Sequence, residues 1–432
     1  MRSLLVLYMF FAHSVFSQVL ILKYDDIPEL ILKNNTTVKT YEEKVNQNIY
    51  KEKELVKSSL PQLKLSARYS RLSKIDPFVI QIPFDSKPYQ INVYEPVQNQ
   101  YYSRLNLDYP VFTGLRVSNS IKAQSYFTKT SKEELKSIQS EVIYQTRELY
   151  LKLFLSYKTK KLLEVNKTYL ESQKRTVENF VLNGLLTQND LLRLDIALTK
   201  NQIALLELEN AINLLNSNLC QILDIDVSTT IIPVVEIDSL ILKQSFVDSY
   251  YDSPEIKALE NLLFAQRYLK KASLNEFYPE IFFNAGFDYA KPNLKFFPVK
   301  NTWKYTWDVT LILQFSIWNW FAPKAKADQI NSQIIQTELQ IKNLATKQKI
   351  DYENLFKKIE IEKEKINLSR KELEHAQENL RQTENKFKEG LATTSDLLEA
   401  NKMLVEAEAK FIESKIYLLL TYAEIKKLSG SY

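Results

Sequence analysis

Gly184-Leu-Leu-Thr-Gln-Asn-Asp-Leu-Leu192 returns 206 residues later as Gly390-Leu-Ala-Thr-Thr-Ser-Asp-Leu-Leu398, with six of nine positions identical. Each copy stands inside a long stretch without proline, 111–232 and 324–432. Proline costs about 3 kcal/mol inside a helix, so such stretches admit very long helices. After the first Gly, Leu191, Leu198, Leu205, Ile212 and Leu219 recur every seven residues. After the second, Leu397, Leu404, Phe411, Leu418 and Ile425 do the same, again offset by 206. Ahead of the glycines, seams run from Leu135 through Val142 to Val177 and from Ala345 through Tyr352 to Phe387. A strict seven-residue repeat implies supercoiling helices. The chain is an internal duplication, and each Gly marks a tight αα turn, where φ > 0 is commonly required. A fibrous coiled coil satisfies the same heptads but leaves the rest of the chain unexplained.

That rest alternates with a period of two, in two pairs of runs. Leu63, Leu65, Ala67 and Tyr69 alternate with Lys64, Ser66, Arg68 and Ser70. Ser103, Leu105, Leu107, Tyr109 and Val111 alternate with Arg104, Asn106, Asp108 and Pro110. In the second half, Ile281, Phe283, Ala285, Phe287 and Tyr289 form one row and Trp303, Tyr305, Trp307, Val309, Leu311 and Leu313 another. The spacing predicts strands over about 61–72, 100–112, 279–290 and 302–318. Apolar on one face, polar on the other and aromatic near the ends, they fit transmembrane β-strands; an antiparallel sheet on a soluble core would alternate similarly.

Composition excludes most chemistry. Only 5 of 432 residues are Gly, in no phosphate-cradling spacing, and there are 2 His and a single Cys. A His/Cys zinc site and an intrachain disulfide are therefore ruled out, no cofactor is expected, and no nucleophile–base pair can be assembled. The charge balance, 57 basic against 52 acidic residues, does not advertise nucleic acid. At the N-terminus, Arg2, the apolar run Leu4 to Phe11 and Val15-Phe16-Ser17 have the layout of a signal peptide over 1–17, too short to span as a stop-transfer helix. The polar strand faces carry Lys64, Arg68, Arg104 and Lys304 against Asp108, Glu280, Asp288 and Asp308, a balance that predicts little charge selectivity.

Residues 115–183 and 323–389 would each extend about 100 Å as helix, and the returning segments 185–222 and 391–428 about 57 Å. Each half then reads helix, strand, strand, long helix, tip turn, returning helix. Four strands cannot close a membrane barrel, and open edges are not tolerated in lipid. Three copies sharing one barrel give twelve strands, an even number.

The duplicated turn, the Pro-led strand Leu60-Pro61-Gln62-Leu63-Lys64-Leu65-Ser66 and the segment Tyr109-Pro110-Val111-Phe112-Thr113-Gly114 entering a long helix resemble the TolC family of outer-membrane efflux proteins. The resemblance covers about 25–432, as a first repeat over 18–222, an equatorial segment over 223–253 (for which a plain linker reading serves as well) and a second repeat over 254–432. It implies an α+β membrane protein. A homotrimer would form a 12-stranded β-barrel in outer-membrane lipid, continued by a long α-helical barrel across the periplasm. It also implies the outer-membrane channel-tunnel of a tripartite efflux or type I secretion system, working with a periplasmic adaptor (membrane fusion protein) and an inner-membrane transporter. Gly184, Leu185, Thr187 and Asp190, with Gly390, Leu391, Thr393 and Asp396, match the family's two tip turns, where the adaptor is met. The resemblance also implies an acidic ring at the pore entrance from Asp396, with Glu399 three residues on along the same helix face. The best-known members latch the closed tip with an Arg where this chain has Ala392. The competing function is an exported structural coiled-coil protein without a pore.

Overall fold

The computed structural model describes residues 19–84, 87–94, 96–242 and 253–430. The expected signal peptide lies outside them, as do 243–252 of the segment between the repeats. The first half runs β1 (Val19–Lys23), α1 (Ile27–Asn34), α2 (Thr36–Ser58), β2 (Gln62–Arg71), β3 (Phe78–Phe84), β4 (Lys87–Tyr94), β5 (Asn99–Thr113), α3 (Arg116–Leu182) and α4 (Gln188–Leu223). β6 (Thr230–Val234) and α5 (Ile237–Leu242) follow. The second half is α6 (Pro254–Leu274), β7 (Glu280–Lys291), β8 (Lys304–Gln314), α7 (Ala322–Lys388) and α8 (Thr394–Ser429). The duplication holds to the residue in the hairpins. α3 and α7 have 67 residues each, α4 and α8 have 36 each, and both pairs start 206 apart, at 116 and 322 and at 188 and 394.

The chain divides into two compact units. One, from Val45–Ser131 and Ala258–Ile341, holds an antiparallel sheet in the order β2-β5-β7-β8. Register sets one apolar row across all four strands, Leu63 opposite Leu107, Leu107 opposite Ala285 and Ala285 opposite Val309. The next row is Leu65, Leu105, Phe287 and Trp307. Most of these side chains are exposed, Leu65 at 73% and Trp307 at 72%, as is Leu311 further along β8 at 68%, while Leu107 and Ala285 are half-buried. The outer edges of β2 and β8 have no strand partner among the described residues.

Two strands depart from the expected pattern. In β5 the pairing with β7 slips between Pro110 and Phe112, so Val111 is a bulge and Phe112, not Val111, continues the apolar row opposite Ile281. Pro110 is tolerated because β2 pairs no further than Asp108, which leaves the next residues on a local edge. β8 stops at Gln314, short of the expected 318. Trp320 and Phe321 both take left-handed φ of 56° as the chain turns into α7, and their rings meet Trp318 edge-on at 5.5 and 5.6 Å. Between β2 and β5 the alternation of Phe78, Ile80 and Ile82 forms a separate hairpin, β3–β4, beyond the four expected strands.

The other unit comprises residues up to Lys44, Lys132–Lys257 and from Lys342 on. The heptad seams supply its core: Val142, Leu149, Ile212, Leu219, Tyr352, Ile359, Ile366, Leu418 and Ile425 lie in one cluster. A second cluster, Leu170, Val177, Leu194, Leu380, Phe387, Leu397 and Ala400, joins the two hairpins beside their turns. α1 and α2 are separate helices, since Asn35 is extended and caps α2, accepting from the Val38 N–H at 3.0 Å. β1 pairs in parallel with β6, so the first strand belongs with the segment between the repeats. The buried Tyr150 hydroxyl lies 2.8 Å from the Leu22 carbonyl and 2.9 Å from that of Val234, bracing both strands. Cys220 packs in the same core with its thiol 3.4 Å from the Thr229 carbonyl.

Candidate functional site

The two tip turns are built alike. α3 ends in Asn183 and Gly184, whose φ of +72° lets the Leu185 N–H return to the Phe180 carbonyl at 2.8 Å and the Gly184 N–H to that of Val181 at 3.0 Å. α7 ends the same way: Gly390 has φ +72°, Leu391 donates to Lys386 at 2.8 Å and Gly390 to Phe387 at 3.1 Å. These six-to-one and five-to-two bonds satisfy carbonyls that a helix end leaves open. Leu185 and Leu391 are exposed, at 70% and 74%.

Each returning helix opens on a Thr–Asp pair. Thr393 donates its N–H and its hydroxyl to Asp396 Oδ2, at 2.9 and 2.7 Å, and Thr393 Oγ1 accepts from the Asp396 N–H at 3.2 Å. In the first turn Thr187 donates both groups to Asp190 Oδ2, at 3.0 and 2.7 Å, while the Asp190 N–H bonds to the Thr187 carbonyl. The spacing Thr-x-x-Asp is a capping box with the shorter acid. The backbone and hydroxyl donors of Thr393 hold the Asp396 carboxyl below the usual carboxylate range, and the Thr187 hydroxyl does the same for Asp190.

Asp396 is therefore tied to its own turn, a role that the spacing already permits. Glu399, one turn on, is exposed and lines a groove of about 600 Å³ between α4 and α8, together with Arg193, Lys200, Lys402 and Glu406. Ala392 is partly buried against the tip cluster, so this position contributes packing where the family's latch has a cation. Beneath the groove Asn401 donates to Asn166 at 2.8 Å, Asn166 to Asn201 at 2.9 Å and Asn201 to the Leu163 carbonyl at 3.1 Å. No periodic signal marks these three asparagines.

The second polar constellation lies on the sheet. Arg104 of β5 donates through Nη1 to Asp288 Oδ1 at 2.9 Å and Asp308 Oδ1 at 3.0 Å, and through Nη2 to Asp308 Oδ2 at 2.9 Å. Lys295, from the β7–β8 connection, reaches Asp288 at 2.7 Å and Asp308 at 3.0 Å. Lys64 stands 3.4 Å from Asp108, which also accepts from Asn284 at 2.6 Å. Arg104, Asp108, Asp288 and Asp308 were legible as a polar row; Lys295 was not, because it lies outside the alternating runs. Among the described residues no three His, Cys, Asp or Glu side chains gather as a metal site needs.

The four-stranded sheet, whose outer edges have no strand partner among the described residues, and the duplicated helical hairpins are the parts on which the chain can be compared with known folds. Residues 27–223 match the family model described as outer membrane efflux protein. Among solved structures, the fold is similar to that of CusC, described by its conformational changes on folding and transmembrane channel formation. The TM-score is 0.80 and the identity 14%, over 96% of this chain and 94% of that one. The Campylobacter jejuni CmeC outer membrane channel has a TM-score of 0.75 at 16% identity, covering 95% and 86%. The outer membrane protein VceC of Vibrio cholerae has 0.75 at 14%, covering 94% and 96%. No curated protein matches the sequence. The fold is that of TolC-like outer-membrane channels, and residues 27–223 carry the likeness to the outer membrane efflux protein family.

Proposed function

We propose that this chain is the outer-membrane exit duct of a tripartite efflux or type I secretion machine, passive in itself and driven by an inner-membrane transporter. The observation that carries this reading is the four-stranded sheet. Most of its apolar face is exposed, Arg104 of its polar row is paired with Asp288 and Asp308, and neither outer edge has a strand partner among the described residues. Lipid tolerates no open edge, so further strands must come from further copies. Three copies close twelve strands, with the Leu65–Trp307 row toward lipid and the Arg104 row toward water. The tip turns Gly184–Asp190 and Gly390–Asp396, with their exposed leucines, offer an adaptor an apolar point of contact. Mass measurement of the full-length protein in mild detergent tests the assembly: a trimer is expected, and a monomer stable in the membrane overturns it. A protein that leaves the membrane in a salt wash would instead be a coiled-coil scaffold without a pore.

A further inference from the structure

Arg104 reaches Asp308 by crossing a strand. On β7 its direct partner is Asp288, while Asp308 of β8 faces Gly286, one polar-row position along. The guanidinium lies over Gly286, in the space a side chain would fill. A Cβ at Gly286 would come within 2.8 Å of Nη1 and closer still to Nη2 and Cζ. Gly286 has no positive φ, so its backbone does not demand glycine; the need is purely one of space. This explains a Gly in mid-strand, where it otherwise weakens the sheet.

We propose that Gly286 is a specificity-determining position of the conduit. It is the recess in which Arg104 lies flat against the wall, neutralised from both sides by Asp288 and Asp308. With Lys295 and Lys64 set against Asp288, Asp308 and Asp108, the polar face at this level carries three paired charges of each sign. Without the recess the guanidinium, the far end of a flexible side chain, stands off the wall. One cation per copy then stands into the lumen ahead of the carboxylates it leaves on the wall, so that anionic cargo meets it first. The inference rests on the proposal that the polar row lines a water-filled barrel.

The test is modification of Arg104 by phenylglyoxal in full-length protein reconstituted into lipid vesicles, followed by peptide mass. In the wild type, Arg104 is expected to react slowly. In Gly286→Ala it should react roughly tenfold faster, the ratio equivalent to loss of one charge-assisted hydrogen bond. Asp308→Asn, which leaves β7 untouched, is expected to give the same gain should Gly286→Ala fail to assemble. Equal reactivity of Arg104 in wild type and in an assembled variant overturns the proposal. The lumen reading is checked separately in a Cys220→Ser background: Thr310→Cys should react with a charged maleimide and Leu311→Cys should not. If that pattern fails, the barrel assignment falls and this inference with it. If it holds while Arg104 is unaffected by Gly286→Ala and Asp308→Asn, only the inference falls.

Discussion

Asn401 on the second hairpin donates to Asn166 on the first at 2.8 Å, in a chain otherwise governed by a 206-residue repeat that neither residue obeys. The repeat places Asp195 opposite Asn401 and Glu372 opposite Asn166. This bond is therefore a connection between the two halves rather than a feature of each. Asn401 is buried and Asn166, which would lose its donor, is half-buried; an amide stripped of its partner there costs about 1 kcal/mol, the low end of the range for buried groups. Asn401→Leu should raise hydrogen exchange in α8 and the facing turn of α3 by an opening energy of that order. Replacing Asn166, Asn201 and Asn401 all by Leu should be closer to neutral, because no polar group is then left unpaired. Equal protection in wild type and Asn401→Leu would remove the bond's role in joining the halves.

The capping boxes make the tips acid-sensitive. Asp396 has its carboxyl held below the ordinary 3.8 by the Thr393 donors, and Asp190 likewise by Thr187. A depressed folded value means that the contribution is whole above 3.8 and is lost as pH falls through the lower folded value. The starts of α4 and α8 should therefore lose amide protection, measured against intrinsic exchange, below about pH 3.8, and keep it between pH 5 and 8. Asp396→Asn should flatten that dependence at α8 alone. Thr393→Ala should destabilise the same turn at neutral pH by about 1 kcal/mol, and Thr187→Ala should do the same at the start of α4.

How much was legible follows from what period each feature had. Heptads and the repeated Gly-x-x-Thr turn are periodic or duplicated, and they located α3, α4, α7 and α8 and both tips. Alternation located the four sheet strands, but it cannot register an insertion. The bulge at Val111, which shifts the apolar row to Phe112, is set by the pairing with β7 and leaves no mark in the alternation of β5 itself. Lys295, Asn166 and Asn401 act through contacts 7, 13, 35 or 235 residues away in sequence, which no local pattern encodes. The β1–β6 pairing across more than two hundred residues is of the same kind.

The apolar rows predict an asymmetry between neighbours. Leu311 is exposed on the row that also carries Leu313 and Val309, whereas Thr310 faces Asn284 on the polar side. Arg at mid-bilayer on the lipid side of a barrel costs about 2–4 kcal/mol. Leu311→Arg should therefore lower the yield of heat-resistant trimer in membranes, and Thr310→Arg should assemble normally and alter only conductance. Equal assembly of the two variants would reverse the inside and outside of the sheet.

The acidic ring is the last expectation, and the geometry divides its two members. Asp396 Oδ2 is already committed to Thr393, so its removal disturbs the turn as well as any ring. Glu399 is free of the cap and borders the α4–α8 groove beside Lys402 and Arg193. In a trimer, carboxylates gathered at a narrow neck would bind multivalent cations, because confined charges are poorly screened. Trimers in a planar bilayer should then prefer cations and be blocked by a trivalent cation added on the tip side. Glu399→Gln should relieve most of that block while leaving the tip's amide protection unchanged. Asp396→Asn should relieve part of it and loosen the start of α8 at the same time. A block that survives Glu399→Gln and Asp396→Asn together would place the filter elsewhere and leave both carboxylates as supports of a helix end.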